Sequence, residues 1–262
     1  MKVSIITINF NNAAGLEKTI ASVVNQTYPN IEYLVIDGGS EDGSELIAER
    51  YIDNIAYFIT EKDNGIYHAM NKGIAVATGD YVLFLNSGDC LIESEVIEKV
   101  VKESLIGDIV YGDLLLFDDV KEWVWKSPDT LTFEHFYNNT IPHPSTFINR
   151  QLFEKVGYYD EKLQVVSDWK FFLLAFARFN CSYKHVPMTI STYGFDGISS
   201  KEESLPLIKE ERSKVLQEEF SFFLKDYEKL VYLTDEMKKI KRYLLAKTFI
   251  KRLFKRNNLN QL

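Results

Sequence analysis

Val3-Ser4-Ile5-Ile6-Thr7-Ile8-Asn9-Phe10-Asn11 begins as a β-branched run and turns abruptly polar. Such a run reads as a buried strand, because branched side chains pack well on a pleated surface. The residues after it set the fold class. Leu16–Gln26 carries apolar residues at 16, 20, 23 and 24, a helical spacing, and Tyr28-Pro29-Asn30 breaks it. Ile31–Ile36 then reads as strand and Ser44–Tyr51 as helix. Ile55–Thr60 reads as strand and Ile66–Ala77 as helix, with Gly79 as the expected C′ glycine. Tyr81–Leu85, Glu93–Glu103 and Ile109–Tyr111 continue the alternation as strand, helix and strand. This rhythm predicts an α/β fold with a mostly parallel central sheet and helices on both faces.

In such sheets ligands bind beyond the carboxyl ends of the strands. The loops there read Asn9-Phe10-Asn11-Asn12, Asp37-Gly38-Gly39-Ser40, Glu61-Lys62-Asp63-Asn64-Gly65 and Asn86-Ser87-Gly88-Asp89. All four are polar and acidic groups recur, which marks one candidate site. Residues 108–200 are less regular. Glu122–Lys126 alternates like a strand with Trp123 and Trp125 on one face. Leu131–Tyr137 reads as helix, Ser145–Ile148 as strand, Asp168–Phe179 as an apolar helix, and Tyr183–Tyr193 as strand-like around Pro187. From Lys201 the pattern is helical, so the chain divides into 1–200 and a helical extension, 201–262.

The 262 residues carry 30 Lys+Arg and 38 Asp+Glu, a net charge of −8, which disfavours a nucleic-acid partner. That average hides an asymmetry: residues 238–262 hold nine Lys/Arg and no acid. A basic helix interleaved with Ile240, Tyr243, Leu244, Phe249, Ile250, Leu253 and Phe254 suits a membrane surface, and equally a protein or oligomer contact. Two cysteines, Cys90 and Cys181, fit a reducing compartment. The Val3–Ile8 run is too short for an export signal, and no stretch approaches a membrane span. These features predict a cytoplasmic protein.

No GxGxxG, no GxxxxGK[ST] and no zinc-ligand spacing is present. The ordered loops instead resemble the family-2 glycosyltransferases of GT-A fold, over about residues 1–200. The carriers are the opening run, Ser22–Tyr28, Val35–Ser44, Asp63–Gly73, Thr78–Tyr81 and Asn86–Asp89. The later His143-Pro144-Ser145-Thr146-Phe147 and Ser167-Asp168-Trp169 segments resemble a bacterial surface-polysaccharide branch.

The resemblance implies transfer of a sugar, with inversion, from a nucleotide-sugar donor to a hydroxyl of a glycan acceptor, lipid-linked or soluble. It implies an enzyme at the inner face of the membrane, with the basic tail against the bilayer. By the same resemblance Phe10, Asp37, Asp63, Gly65 and Asn71 bind the nucleotide. Asp89 holds Mg²⁺ or Mn²⁺, and Asp168 is the general base that takes the acceptor's proton.

Local readings stand beside these. Phe10 by itself reads as core, Asp37 as an Asx-turn, and Asp63 and Asp168 as helix caps. His143, between two prolines, suits a contact to acceptor or diphosphate and equally a structural hydrogen bond. His68 reads as a surface or supporting residue. The Phe195–Ser200 segment resembles a loop near the family's active site. The metal loop has Asn86 and Gly88 where the family is acidic, and Gly38 stands where relatives often carry Asp.

Two alternatives stay open. A non-catalytic nucleotide-sugar-binding protein would explain the thinned metal loop. A sugar nucleotidyltransferase would need a basic loop that Asn9–Gly15 does not supply.

Overall fold

The computed structural model describes residues 1–103, 105–118, 120–194, 197 and 200–259, with side chains through 248. Two compact units are present, Met1–Glu211 and Arg212–Leu262. In the first, β1 (Val3–Asn9), β2 (Ile31–Asp37), β3 (Tyr57–Thr60) and β4 (Tyr81–Phe84) run parallel in the order β3-β2-β1-β4. Their connections are α1 (Ala13–Val24), α2 (Ser44–Arg50) and α3 (Ile66–Val76).

Side chains alternate across the strands, so each strand feeds two layers. Val3, Ile5, Tyr33, Val35, Leu83 and Leu85 pack with Leu16, Ile20 and Val23 of α1 and Ala48 of α2. On the opposite face Ile6 meets α3 so closely that a Cβ on Gly73 would lie 2.5 Å from its Cγ2. Helices therefore cover both faces of the parallel part.

The remaining strands are β5 (Cys90–Leu91), β6 (Ile109–Phe117), β7 (Glu122–Trp125), β8 (Thr146–Asn149) and β9 (Tyr183–Gly194). They extend the sheet as β4-β8-β6-β9-β5, with β7 on β6. Among the described residues β6 and β9 pair in parallel here, while β4–β8, β8–β6, β6–β7 and β5–β9 are antiparallel. The parallel pattern of the first hundred residues thus gives way to a mixed half. β6 also runs well past the Ile109–Tyr111 expected from sequence.

Helices α4 (Val96–Lys102), α5 (Phe133–Asn138), α6 (Gln151–Val156) and α7 (Ser167–Ala177) complete the first unit. The chain from Leu205 to Leu259 is helical (α8) except at Phe220, where φ −132° and ψ 18° interrupt it. Among the described residues no helix is long and apolar enough to cross a membrane.

One local expectation is corrected. Gly79 is not a left-handed cap: α3 ends at Ala77 in extended geometry, and Gly79 has no positive φ. Glycine is required there for closeness, since a Cβ would stand 2.6 Å from Ser4 Oγ and 2.7 Å from Ser4 N.

Candidate active site

The site is assembled at the carboxyl ends of the parallel strands. β1 and β2 end side by side, with Asn9 and Asp37 in register. Asp37 is fully buried. Its carboxylate accepts from Asn9 Nδ2 (2.7 Å), Ser40 Oγ (2.6 Å), the Ser40 and Gly39 amides (2.8 and 3.1 Å) and Thr60 Oγ1 (2.7 Å). Burial raises its pKa, but the hydrogen bonds from Ser40, Asn9 and Thr60 outweigh burial and hold it below the usual carboxylate range. Asp37 therefore shapes the Gly38–Ser40 loop as an anionic hub. The Asx-type turn expected locally is present.

Phe10 departs from its local reading. It is 66% exposed rather than core, because β1 ends at Asn9 and the chain turns away at Asn11, whose φ is +48°. Its ring lies over Gly38, where a Cβ would sit 3.2 Å from Phe10 Cδ2 and 3.4 Å from Asp63 Oδ2. Two predicted nucleotide-binding residues, Phe10 and Asp63, thus converge on Gly38. An acidic residue at 38 would be set against the Asp63 carboxylate, so Gly38 and Asp63 suit each other.

Asp63 is not a helix cap. The N-cap of α3 is Gly65, whose φ of +115° needs a glycine. Asp63 Oδ1 instead meets His68 Nδ1 (2.9 Å) and Lys72 Nζ (2.7 Å), while its buried Oδ2 has no hydrogen-bond partner. His68 is accordingly a supporting residue. Asn71 stands apart from this cluster: Nδ2 donates to Tyr159 O (2.9 Å) and Glu161 Oε1 (2.8 Å), and Oδ1 accepts from Tyr159 N (3.0 Å). It fastens α3 to the segment leading toward α7.

The second cluster gathers Asn86, Asp89, His143 and Asp168. The Asn86–Asp89 turn is closed by Asp89 N to Asn86 O (2.9 Å) and by the buried Thr19 hydroxyl. That hydroxyl donates to Asp89 O (2.7 Å) and accepts from Gly88 N (2.9 Å). Asp168 lies in the first turn of α7, whose N-cap is Val166, so it is not the cap either. Its Oδ1 accepts from Tyr67 Oη (3.0 Å) and its Oδ2 lies 3.4 Å from His143 Nδ1. The other imidazole nitrogen, Nε2, meets Asn86 Nδ2 at 3.2 Å. One imidazole thus touches both the predicted base and the predicted metal loop.

Electrostatics follow from this contact. Burial raises the Asp168 carboxyl, but the His143 imidazole, the Trp169 amide and the Tyr67 hydroxyl outweigh it and keep the group ionised. Burial lowers His143, and the charges of Asp168 and then Asp89 more than reverse that. Burial pushes Asp89 up to about 7, against the pull of His143 and the Asn86 backbone.

Among the described residues no group of three or more His, Cys, Asp or Glu could hold a metal. The oxygens present still fit a hard cation that keeps phosphate and water ligands. Asp89 supplies one desolvated carboxylate, and Asn86 Oδ1 is buried without a hydrogen-bond partner.

Sequence reading missed several contributors. Tyr67 sits within a quoted motif, but nothing in its spacing shows that it reaches Asp168, 101 residues away. Glu211 is buried and accepts from the amides of Gln164 (2.6 Å) and Val165 (3.0 Å), fixing the loop just before α7. Of the Phe195–Ser200 segment only Gly197 and Ser200 are described, and the side chains of the tail beyond 248 lie outside the described residues.

Residues 4–162 match the model of glycosyl transferase family 2. The chain belongs to this family. A "PGL/p-HBAD biosynthesis glycosyltransferase" of Mycobacterium tuberculosis is 31% identical over 205 residues, 75% of this chain and 78% of the relative. An uncharacterized glycosyltransferase of the same species is 35% identical over 184 residues, 66% and 68% of the two chains. Among solved structures, S. aureus TarS 1-349 in complex with UDP-GlcNAc superimposes with a TM-score of 0.62 at 19% identity, over 74% of this chain. This family-2 chain spans 58% of that chain's length. The mannosyltransferase PcManGT from Pyrobaculum calidifontis, in complex with GDP-Man and Mn²⁺, gives 0.56 at 18% identity, over 73% and 56% of the two chains. The fold of this family-2 chain is thus the GT-A glycosyltransferase fold predicted from the loops.

Proposed function

We propose that this glycosyltransferase moves a sugar from a nucleoside-diphosphate donor to a hydroxyl of a glycan acceptor, with inversion at the anomeric carbon. The observation that carries the reading is the Tyr67–Asp168–His143–Asn86 chain of contacts. It sets an ionised carboxylate, partly shielded from water, beside the turn that would face a diphosphate. Asp168 accepts the acceptor's proton as the hydroxyl attacks. Tyr67 and His143 fix the direction in which its oxygens point. Phe10 lies against the base of the nucleotide, and Asp37, Asp63 and Gly65 form the loops around it, with Asn71 holding α3 in place. A divalent cation, Mg²⁺ or Mn²⁺, held by Asp89 with Asn86 would neutralise charge on the leaving diphosphate.

The names of the relatives support this class. One is named for PGL/p-HBAD biosynthesis, and two structural neighbours were solved with UDP-GlcNAc and with GDP-Man and Mn²⁺. A lipid-linked acceptor in surface-polysaccharide assembly fits the basic tail, in which each Lys or Arg near anionic lipid contributes about 1 kcal/mol. The reading places the protein at the inner face of the cell membrane.

A thermal-shift panel of nucleoside diphosphates, with and without Mn²⁺, tests it. Binding to the folded state raises the melting temperature, so one base should stand out and Mn²⁺ should enlarge its shift. A donor turnover assay on the same protein completes the test. Binding without any donor hydrolysis or transfer, whatever the cation, refutes the enzyme reading.

A further inference from the structure

The second unit carries a feature that the glycosyl-transfer reading does not use. Leu230, Leu233, Met237, Ile240 and Leu244 recur in α8 at steps of three, four, three and four residues. All five are exposed, between 48% and 70%. Five apolar side chains in one straight row on a helix are not a solubility feature, and steps averaging 3.5 match the spacing of a coiled-coil seam. With Leu230 at position a, the a row is Leu230, Met237 and Leu244, and the d row is Leu233 and Ile240.

A groove of about 310 Å³ runs along Met237, Ile240, Lys241, Leu244, Leu245 and Thr248. Met237, Ile240, Lys241 and Leu244 stand at i, i+3, i+4 and i+7, the four-residue hole that receives one d-position knob from a facing parallel helix.

The flanking charges select the partner. Glu236 falls at position g and Lys241 at position e of the next heptad. Across a parallel, in-register pair of identical helices, g faces e of the following heptad, so each Glu236 meets a Lys241 of the other copy. An antiparallel pair sets g against g and e against e, and that match is lost. Among the described residues Glu236 pairs with exposed Lys239, at 2.8 Å, a contact weak enough to be exchanged.

We propose that the Leu230–Leu244 row packs against the same row of a second copy of this chain, parallel and in register. The seam covers two heptads, so association is concentration-dependent rather than permanent. Lys238, Lys239 and Arg242 fall at b, c and f and point away from the seam. The cationic face thus stays available while the apolar row is covered.

Sedimentation or light scattering of the full-length chain across the micromolar range tests this. The mass should rise with concentration from 30.4 kDa toward twice that value. Ile240→Asp and Leu233→Asp should each hold the mass at the single-chain value with an unchanged circular dichroism spectrum. Glu236→Lys or Lys241→Glu alone should shift the dissociation midpoint to higher concentration, and the double exchange should restore it. Ile240→Cys in a Cys90→Ser background should cross-link to double mass on mild oxidation, because the parallel, in-register pair sets the two 240 positions face to face.

A wild-type chain that stays monomeric throughout overturns the proposal. So does a double charge exchange that fails to restore association. If the wild type is monomeric and Leu233→Asp abolishes binding to anionic phosphatidylserine vesicles, the row belongs to a bilayer and the second copy is excluded.

Discussion

Replacing Asp168 by Asn tests the centre of the mechanism with little structural disturbance. The carbonyl oxygen of Asn can take the place of Oδ1 and still accept from Tyr67 Oη, 3.0 Å away in the wild type. The amide nitrogen then occupies the Oδ2 position 3.4 Å from His143 Nδ1, where it can donate to a neutral imidazole once the Asn86 amide turns its Oδ1 toward the Nε2–H. The shape of the side chain is retained; only the ability to take a proton is lost. A positioned general base contributes roughly 10²–10⁴ in rate, about 3–5 kcal/mol of barrier. The turnover number for transfer should fall by that factor, while nucleoside-diphosphate affinity by calorimetry stays within about twofold.

The pH dependence has a determined sign. Burial pushes the Asp168 carboxyl up, yet His143, Trp169 and Tyr67 bring it below its ordinary value, so the base is ionised throughout the neutral range. A depressed carboxylate stabilises the fold above its unfolded pKa, and that contribution is lost as pH falls through the folded one. With the cation at saturating concentration, the wild-type rate should hold across neutral pH and decline only in acid, and the variant should lose this acid limb. A variant retaining more than about a tenth of the wild-type rate would place the base elsewhere. A loss of nucleotide affinity parallel to the loss of rate would make Asp168 a structural residue.

Three further outcomes are expected. Asp89→Asn should abolish the cation-dependent part of diphosphate binding. It should also raise the melting temperature of cation-free protein above pH 7: burial lifts the folded carboxyl to about 7, so wild-type stability falls as pH rises from the unfolded value toward 7. Thermal scans against pH with and without Mn²⁺ check both. Phe10→Ala should weaken nucleotide binding by about 1–3 kcal/mol if the ring stacks on the base. Because that ring is 66% exposed, urea midpoints should move little. Gly79→Ala should destabilise by about 1–3 kcal/mol in urea titration, since the Cβ would lie 2.7 Å from the immovable Ser4 backbone nitrogen.

Local sequence is enough to specify the α/β class, the order of strand and helix over the first four strands, and the loops at their carboxyl ends. The reason is physical: a buried parallel strand needs a continuous apolar run, its crossover helix a 3.6-residue period, and both are written locally. Asp37, Asp63, Asp89 and Asp168 are legible because each stands where an apolar element begins or ends. What the loops hold together is not legible. That Asp37 is saturated by five donors, that Asp63 pairs with His68 and Lys72, and that Asn71 clamps Tyr159 depend on contacts that no periodicity encodes.

Three-dimensional packing also overrides local propensity. An aromatic after a strand reads as core, yet Phe10 is exposed because the chain turns at Asn11. A glycine after a helix reads as a cap, yet Gly79 is there to let β1 approach. The meeting of Tyr67, His143 and Asp168 is the clearest case. They come from α3, a loop before β8 and α7, and only the closing of the sheet at β4–β8 brings them to one point. Element type is fixed over a few residues. A candidate catalytic constellation is fixed by the packing of elements a hundred residues apart, which the hydrophobic pattern guides only through the core it builds.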